Sequence, residues 1–154
     1  MCRATRHPAV AEALAALAGE GPQAVARATA ALDVVLRDVA CSERSDSAWS
    51  FSYLTYGGFP LEFTFVSGDD ALRYTADVGG PETDPAERLG RAVAHLATLD
   101  APLPSERFQA KLIGLQRVSP LRYGAWLGGR HDAGGDRYKI YVEVPTPDAA
   151  SAQD

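Results

Sequence analysis

Seven side chains with chemical potential, Glu62, Thr64, Arg73, Thr75, Trp126, Lys139 and Tyr141, occupy alternate positions in short apolar segments. Leu61, Phe63 and Phe65 alternate with Glu62, Thr64 and Val66, and Leu72, Tyr74, Ala76 and Val78 alternate with Arg73, Thr75 and Asp77. Strict alternation marks a strand with one apolar and one polar face. Tyr123, Ala125 and Leu127, and then Tyr138, Ile140, Val142 and Val144, extend the apolar face. They leave Arg122, Trp126, Lys139, Tyr141 and Glu143 on the polar one. A merely solvated polar face is the ordinary state of an antiparallel sheet covered on one side. Here carboxylates and cations are interleaved with a tryptophan and a tyrosine, and Gly124 and Gly128 make room around Trp126. That mixture suits the wall of a polar ligand cavity. His7, His95 and His131 do not form a metal-ligand spacing, so no metal is expected.

The elements that must position these residues follow from punctuation and period. An alanine-rich helix is expected from Pro8 to Leu17, and a second from Pro22 to about Val39, with Val25, Leu32, Val35, Leu36 and Val39 as its stripe. Cys41 to Ala48 reads as a polar connection. Strands are expected over residues 49–55, 59–66 and 72–78, joined by Gly57-Gly58 and by a longer turn, Ser67-Gly68-Asp69-Asp70. Asp84-Pro85 opens a helix running to about Leu99, and Ser105 caps another running to about Val118. A last hairpin pairs residues 121–130 with 137–144 around Asp132-Ala133-Gly134-Gly135. The expected order is α-α-β-β-β-α-α-β-β, an α+β chain of two ααββ units, the first with an extra strand. The predicted domain is single and covers residues 1–145, and residues 146–154 form a disordered tail.

Composition narrows the classes. With 154 residues, 46% hydrophobic and 23% charged, the chain can bury one core, and its net charge of −5 argues against an extended nucleic-acid surface. No run is apolar enough to span a membrane, and the first ten residues lack the plan of a secretory signal. Cys2 and Cys41 make no disulfide framework and are expected as free thiols in the cytoplasm.

"SYLTYGGFPLEFTF" followed by "LRYTADV", and later "DRYKIYVEVP", resemble aromatic prenyltransferases of the dimethylallyltryptophan-synthase type. The resemblance covers roughly Trp49 to Pro145. It rests on Pro60-Leu61-Glu62, on Arg73 in the next strand and on Lys139-Ile140-Tyr141. It implies a PT barrel (the ABBA fold), built of ααββ repeats with helices outside and a polar lumen inside. It also implies a metal-independent electrophilic aromatic substitution of secondary metabolism, without a cofactor. Glu62 would bond the acceptor's N–H or O–H and help remove a proton. Arg73 and Lys139 would grip the donor's diphosphate. Tyr141 would shield the allylic cation, and Trp126, Thr64 and Thr75 would line the aromatic pocket. Arg122 and Arg130 are candidates for further phosphate contacts. Asp69-Asp70 lies in a turn with no second aspartate cluster, consistent with a reaction that needs no aspartate-rich magnesium site.

The chain has about half the length of such an enzyme, so the resemblance implies a half-barrel. A homodimer with a shared lumen, or a second half-barrel chain, would complete it. Two other functions fit the same residues. One is a barrel-derived cyclase or isomerase acting on an aromatic natural product. The other is a non-catalytic half-barrel that binds a ligand or completes a partner.

Overall fold

A computed structural model describes residues 7–37, 39–43, 49–53, 61–78, 83–118 and 125–142. The protein is an α+β chain with helices α1 (Pro8–Ala16), α2 (Pro22–Val35), α3 (Pro85–Thr98) and α4 (Glu106–Gln116). Its strands are β1 (Val39–Glu43), β2 (Trp49–Tyr53), β3 (Leu61–Val66), β4 (Asp69–Asp77), β5 (Ala125–Asp132) and β6 (Gly135–Val142). Strands β3 to β6 form one antiparallel sheet in sequence order, and β1 and β2 form a separate antiparallel pair. Among the described residues the four-stranded sheet is open, with β3 and β6 at its edges. No helix among them is long and apolar enough to cross a membrane.

Two expectations are corrected by this order. The second helix ends at Val35 rather than Val39, and Val39–Glu43 is a strand paired with Trp49–Tyr53, where a helix end and a polar connection were expected. Asp69 and Asp70 belong to β4, so the β3–β4 turn is only Ser67-Gly68. The expected Gly57-Gly58 turn, Arg122, Gly124, Glu143 and the tail over residues 146–154 lie outside the described residues.

Local chemistry explains the helix starts. Pro22, Pro85 and Pro8 each open a helix, where the missing N–H costs nothing. Asp84 accepts from the Ala86 N–H at 2.8 Å, and the Ser105 hydroxyl accepts from the Phe108 N–H at 3.3 Å. His7 does the same job for α1, its Nδ1 accepting from the Ala9 N–H at 3.2 Å.

The helices pack on one face of the sheet. Val10, Leu17, Leu32, Ala28, Ala92 and Leu96 meet Leu61, Leu72, Tyr74, Ala76, Ala125 and Leu127 in a single core. The expected alternation holds for most of the apolar set of β3, β4, β5 and β6, which points to the helices down to half-buried Phe63, Tyr138, Ile140 and Val142. Phe65 is the correction: expected on the core face, it is 66% exposed on the edge strand, beside the register shift between Thr64 and Val66. Tyr123 and Val144 lie outside the described residues. Helix α4 is peripheral. Only Leu112 and Gln116 of it are buried, while Phe108 and Leu115 are largely exposed.

A half-buried polar tie fastens the last hairpin to this helix layer. Arg27 of α2 donates from Nε to Asp136 Oδ1 at 3.1 Å and from Nη2 to the Asp132 carbonyl at 2.7 Å. Asp136 Oδ1 also lies 3.0 Å from Nδ1 of His131, which is fully buried. The imidazole stacks on Tyr74 with ring centres 5.7 Å apart and meets Tyr138 edge-on. Burial pushes the His131 imidazole below its ordinary 6.5, against the opposing pull of Asp136. The unfolded chain therefore takes up this proton at 6.5 and the folded chain only at lower pH.

Leu127→Ala should cost about 2–5 kcal/mol in urea unfolding, since Leu127 has no exposed surface and its removal leaves a cavity. Phe65→Ala, at a site 66% exposed, should stay within about 0.5 kcal/mol. The His131 shift gives stability that is complete above pH 6.5 and falls as the pH drops below it. His7 adds a shift of the same sign. Urea midpoints at several pH values between 8 and 5 should show that decline, and His131→Gln should flatten it.

Candidate functional site

The sheet face turned away from the helices carries the polar set, and strand register arranges it in three rows. Thr64 pairs with Arg73, Arg73 with Arg130, and Arg130 with Arg137. The next row is Glu62, Thr75, Gly128 and Lys139, and the third is Asp77, Trp126 and Tyr141. A cleft of about 410 Å³ opens on this face. Of the residues expected at a site, Thr64, Arg73, Thr75, Lys139 and Tyr141 line it, and so does Arg130.

Glu62 and Trp126 do not line the cleft. Glu62 is exposed on edge strand β3, in the same row as Lys139 but three strands away. At about 4.8 Å per strand spacing, the two lie roughly 14 Å apart across the sheet. Trp126 is half-buried beside Tyr141.

Glycines shape the floor, though not as expected. A Cβ on Gly128 would lie 2.6 Å from Cε2 of Tyr141, and one on Gly129 would lie 2.3 Å from Cζ of Tyr74. Successive residues of a strand face opposite ways, so Gly128 seats the Tyr141 ring on the open face and Gly129 seats Tyr74 on the core face. The room at Gly128 thus serves Tyr141 and not Trp126.

Three guanidinium groups abreast on neighbouring strands repel one another. Two aspartates at the hairpin end offset this. Asp69 Oδ2 accepts from Nη2 of Arg73 and lies 3.7 Å from Nη2 of Arg130, while Asp132 Oδ2 lies 3.1 Å from the same Arg130 nitrogen. Each aspartate also fixes its turn. Asp69 Oδ1 accepts from the Ala71 N–H at 2.9 Å, and Asp132 Oδ1 from the Gly134 N–H at 2.8 Å. The Arg73 hydrogen bond, followed by the Ala71 N–H, holds the Asp69 carboxyl below the usual carboxylate range.

Asp69 reaches Arg73 because β4 is irregular there. Residues four apart in a regular strand are about 13 Å apart. The register shift between Thr64 and Val66 inserts extra β4 residues and folds this span back.

The cations are not equivalent. Arg73 and Arg130 are engaged by carboxylates, whereas Arg137 and Lys139 are exposed and have no ion pair among the described residues. Even the engaged pair keeps spare donors: Arg73 Nη1 and Arg130 Nε are buried without an acceptor among the described residues. The arrangement can hold an anion with several oxygens. Arg137 also lines the cleft, although it was not among the residues expected there. Its parity with Lys139 and Tyr141 on one strand was the available signal, since all three must share a face. Among the described residues, no three His, Cys, Asp or Glu side chains are grouped to hold a metal ion.

Gly128→Ala should leave the fold intact, because the atom it meets is the far end of the half-exposed Tyr141 ring. It should swing that ring off the cleft, which Tyr141 ring proton shifts and circular dichroism would report. Gly129→Ala meets a fully packed Tyr74 instead and should cost about 1–3 kcal/mol in denaturant unfolding. No protein-family model matches the chain, and neither a curated protein nor a solved structure does.

Proposed function

We propose that the open face binds a prenyl diphosphate and an aromatic acceptor, and that the protein is an aromatic prenyltransferase-like enzyme. The observation that carries this reading is the convergence of Arg73, Lys139, Tyr141, Thr64 and Thr75, drawn from two distant hairpins, on one cationic cleft. The architecture is compatible with it. One helix pair is followed by four strands and the other by two, the main sheet runs in sequence order, and every helix of the core lies on the same side. In the proposed reading this open sheet is half of a barrel of ααββ type, with its polar face toward the lumen. A second copy, or a second half-barrel chain, would close it.

In this chemistry the C–O bond between the allyl group and the diphosphate breaks first. Arg73, Lys139 and the neighbouring Arg137 take up the negative charge that develops on the leaving group. The Tyr141 ring face shields the allylic cation. The aromatic acceptor attacks, a C–C bond forms, and the ring proton leaves with the help of Glu62. The roughly 14 Å between Glu62 and Lys139 leaves space for both substrates, and sheet curvature would bring the two ends together.

The place of Glu62 outside the cleft favours one other reading. In it, the face holds a phosphorylated ligand without transforming it. A cyclase or isomerase would need the same carboxylate at its substrate.

Titration calorimetry with geranyl and dimethylallyl thiolodiphosphate, with light scattering on the same samples, tests the proposal. Binding by a dimer is expected, and Lys139→Ala should weaken it about 10-fold or more, the loss of one charge-assisted hydrogen bond. Glu62→Gln should bind the analogue normally and abolish turnover of prenyl diphosphate with aromatic acceptors. Absence of any binding would rule out the donor site, and binding with turnover intact in Glu62→Gln would remove the catalytic role.

A further inference from the structure

The arginine row is under-satisfied in a way that points to a ligand. Two of its three guanidinium groups draw on Asp69, yet that carboxylate offers them a single oxygen. Oδ1 is committed to the Ala71 N–H, so Oδ2 alone serves Nη2 of Arg73 and, at 3.7 Å, Nη2 of Arg130. Arg73 Nη1 and Arg130 Nε remain buried with no acceptor among the described residues. Arg137, next in the row, has no carboxylate among the described residues. A phosphoryl group brings three oxygens to the same donors and can take paired N–H bonds from a guanidinium, which a shared carboxylate oxygen cannot.

We infer that Asp69 is an internal stand-in for the anionic ligand: its Oδ2 holds the place on Arg73 and Arg130 that a phosphoryl oxygen takes, and the ligand binds by displacing it. The inference rests on the reading of this face as an anion site. Asp69 is suited to the role. Its side chain is about one third exposed, so release into water is cheap, and it sits at the mouth of the hairpin rather than under it. Without a ligand it keeps the guanidinium groups from repelling one another and holds them in place. With one, the arginines exchange one acceptor oxygen for several. Asp132 remains on Arg130 in both states, 3.1 Å away and less exposed than Asp69. The consequence is a ligand affinity set by competition, lower than the cations alone would give.

The test is calorimetric titration of the whole chain with inorganic pyrophosphate, comparing wild type with Asp69→Asn. Asparagine keeps the oxygen that accepts from Ala71 and removes the charge. Asp69→Ser, whose hydroxyl can serve the same turn, replaces it should the asparagine variant not fold. Asp33→Asn is the control for net charge, since Asp33 is exposed on α2 in the helix layer. Pyrophosphate should bind Asp69→Asn about 3- to 30-fold more tightly than wild type, with Asp33→Asn unchanged. Binding by the variant where wild type shows none would support the inference equally. Equal or weaker binding by Asp69→Asn, with wild type binding, would overturn the inference and leave the anion site standing. An equal gain in Asp33→Asn would overturn it too. Binding by neither wild type nor Asp69→Asn would overturn both the inference and the site.

Discussion

Mutual repulsion among Arg73, Arg130 and Arg137, set side by side on three neighbouring strands, is the constraint around which the open face is built. Most of the local irregularity answers it. The register shift in β4 brings Asp69 back to Arg73, and the tight Ser67-Gly68 and Ala133-Gly134 turns put Asp69 and Asp132 at the same end of the sheet. Each aspartate divides its oxygens between a turn and an arginine. Turn geometry and charge balance are thus one arrangement, and loosening either hairpin would leave the cations uncompensated.

The opposite face gives this arrangement a rigid base. Helices α1, α2 and α3 cover the apolar side of the sheet, and Arg27 holds the β5–β6 hairpin through Asp136 and the Asp132 carbonyl. The buried His131 and Tyr74 stack beneath Gly129 while Tyr141 lies over Gly128. At this point the sheet is thin, with one ring pressed against each face.

The proposed function draws on how unevenly the charge is distributed. A chain of net charge −5 gathers Arg73, Arg130, Arg137 and Lys139 on one face of one sheet. Local concentration of cations against the overall sign is what the proposed anionic ligand would offset. Tyr141 and the hydroxyls of Thr64 and Thr75 supply the neutral part of the lining, suited to a ligand that is anionic at one end and apolar or aromatic at the other.

The alternation of Leu61 to Thr64, Leu72 to Val78 and Tyr138 to Val142 was enough to separate core face from open face, because a side-chain period of two sets the faces wherever the strand is regular; at Phe65, beside the register shift, it failed. The caps at Asp84 and Ser105 and the prolines at Pro8, Pro22 and Pro85 likewise marked the helices, since those signals are local. Strand β1 was not legible. Val39–Glu43 has no alternation to distinguish it from a helix end and a polar link, and its partner lies beyond an intervening loop. Nor did the letters show that Asp69 would turn back onto Arg73, that Gly128 would seat Tyr141 rather than make room for Trp126, or that Glu62 would stand apart from the cleft. Which residues share a face is a matter of period, and the sequence alone determined it. Which of them touch depends on register between strands and on a bulge, and those are decided only when distant segments pair.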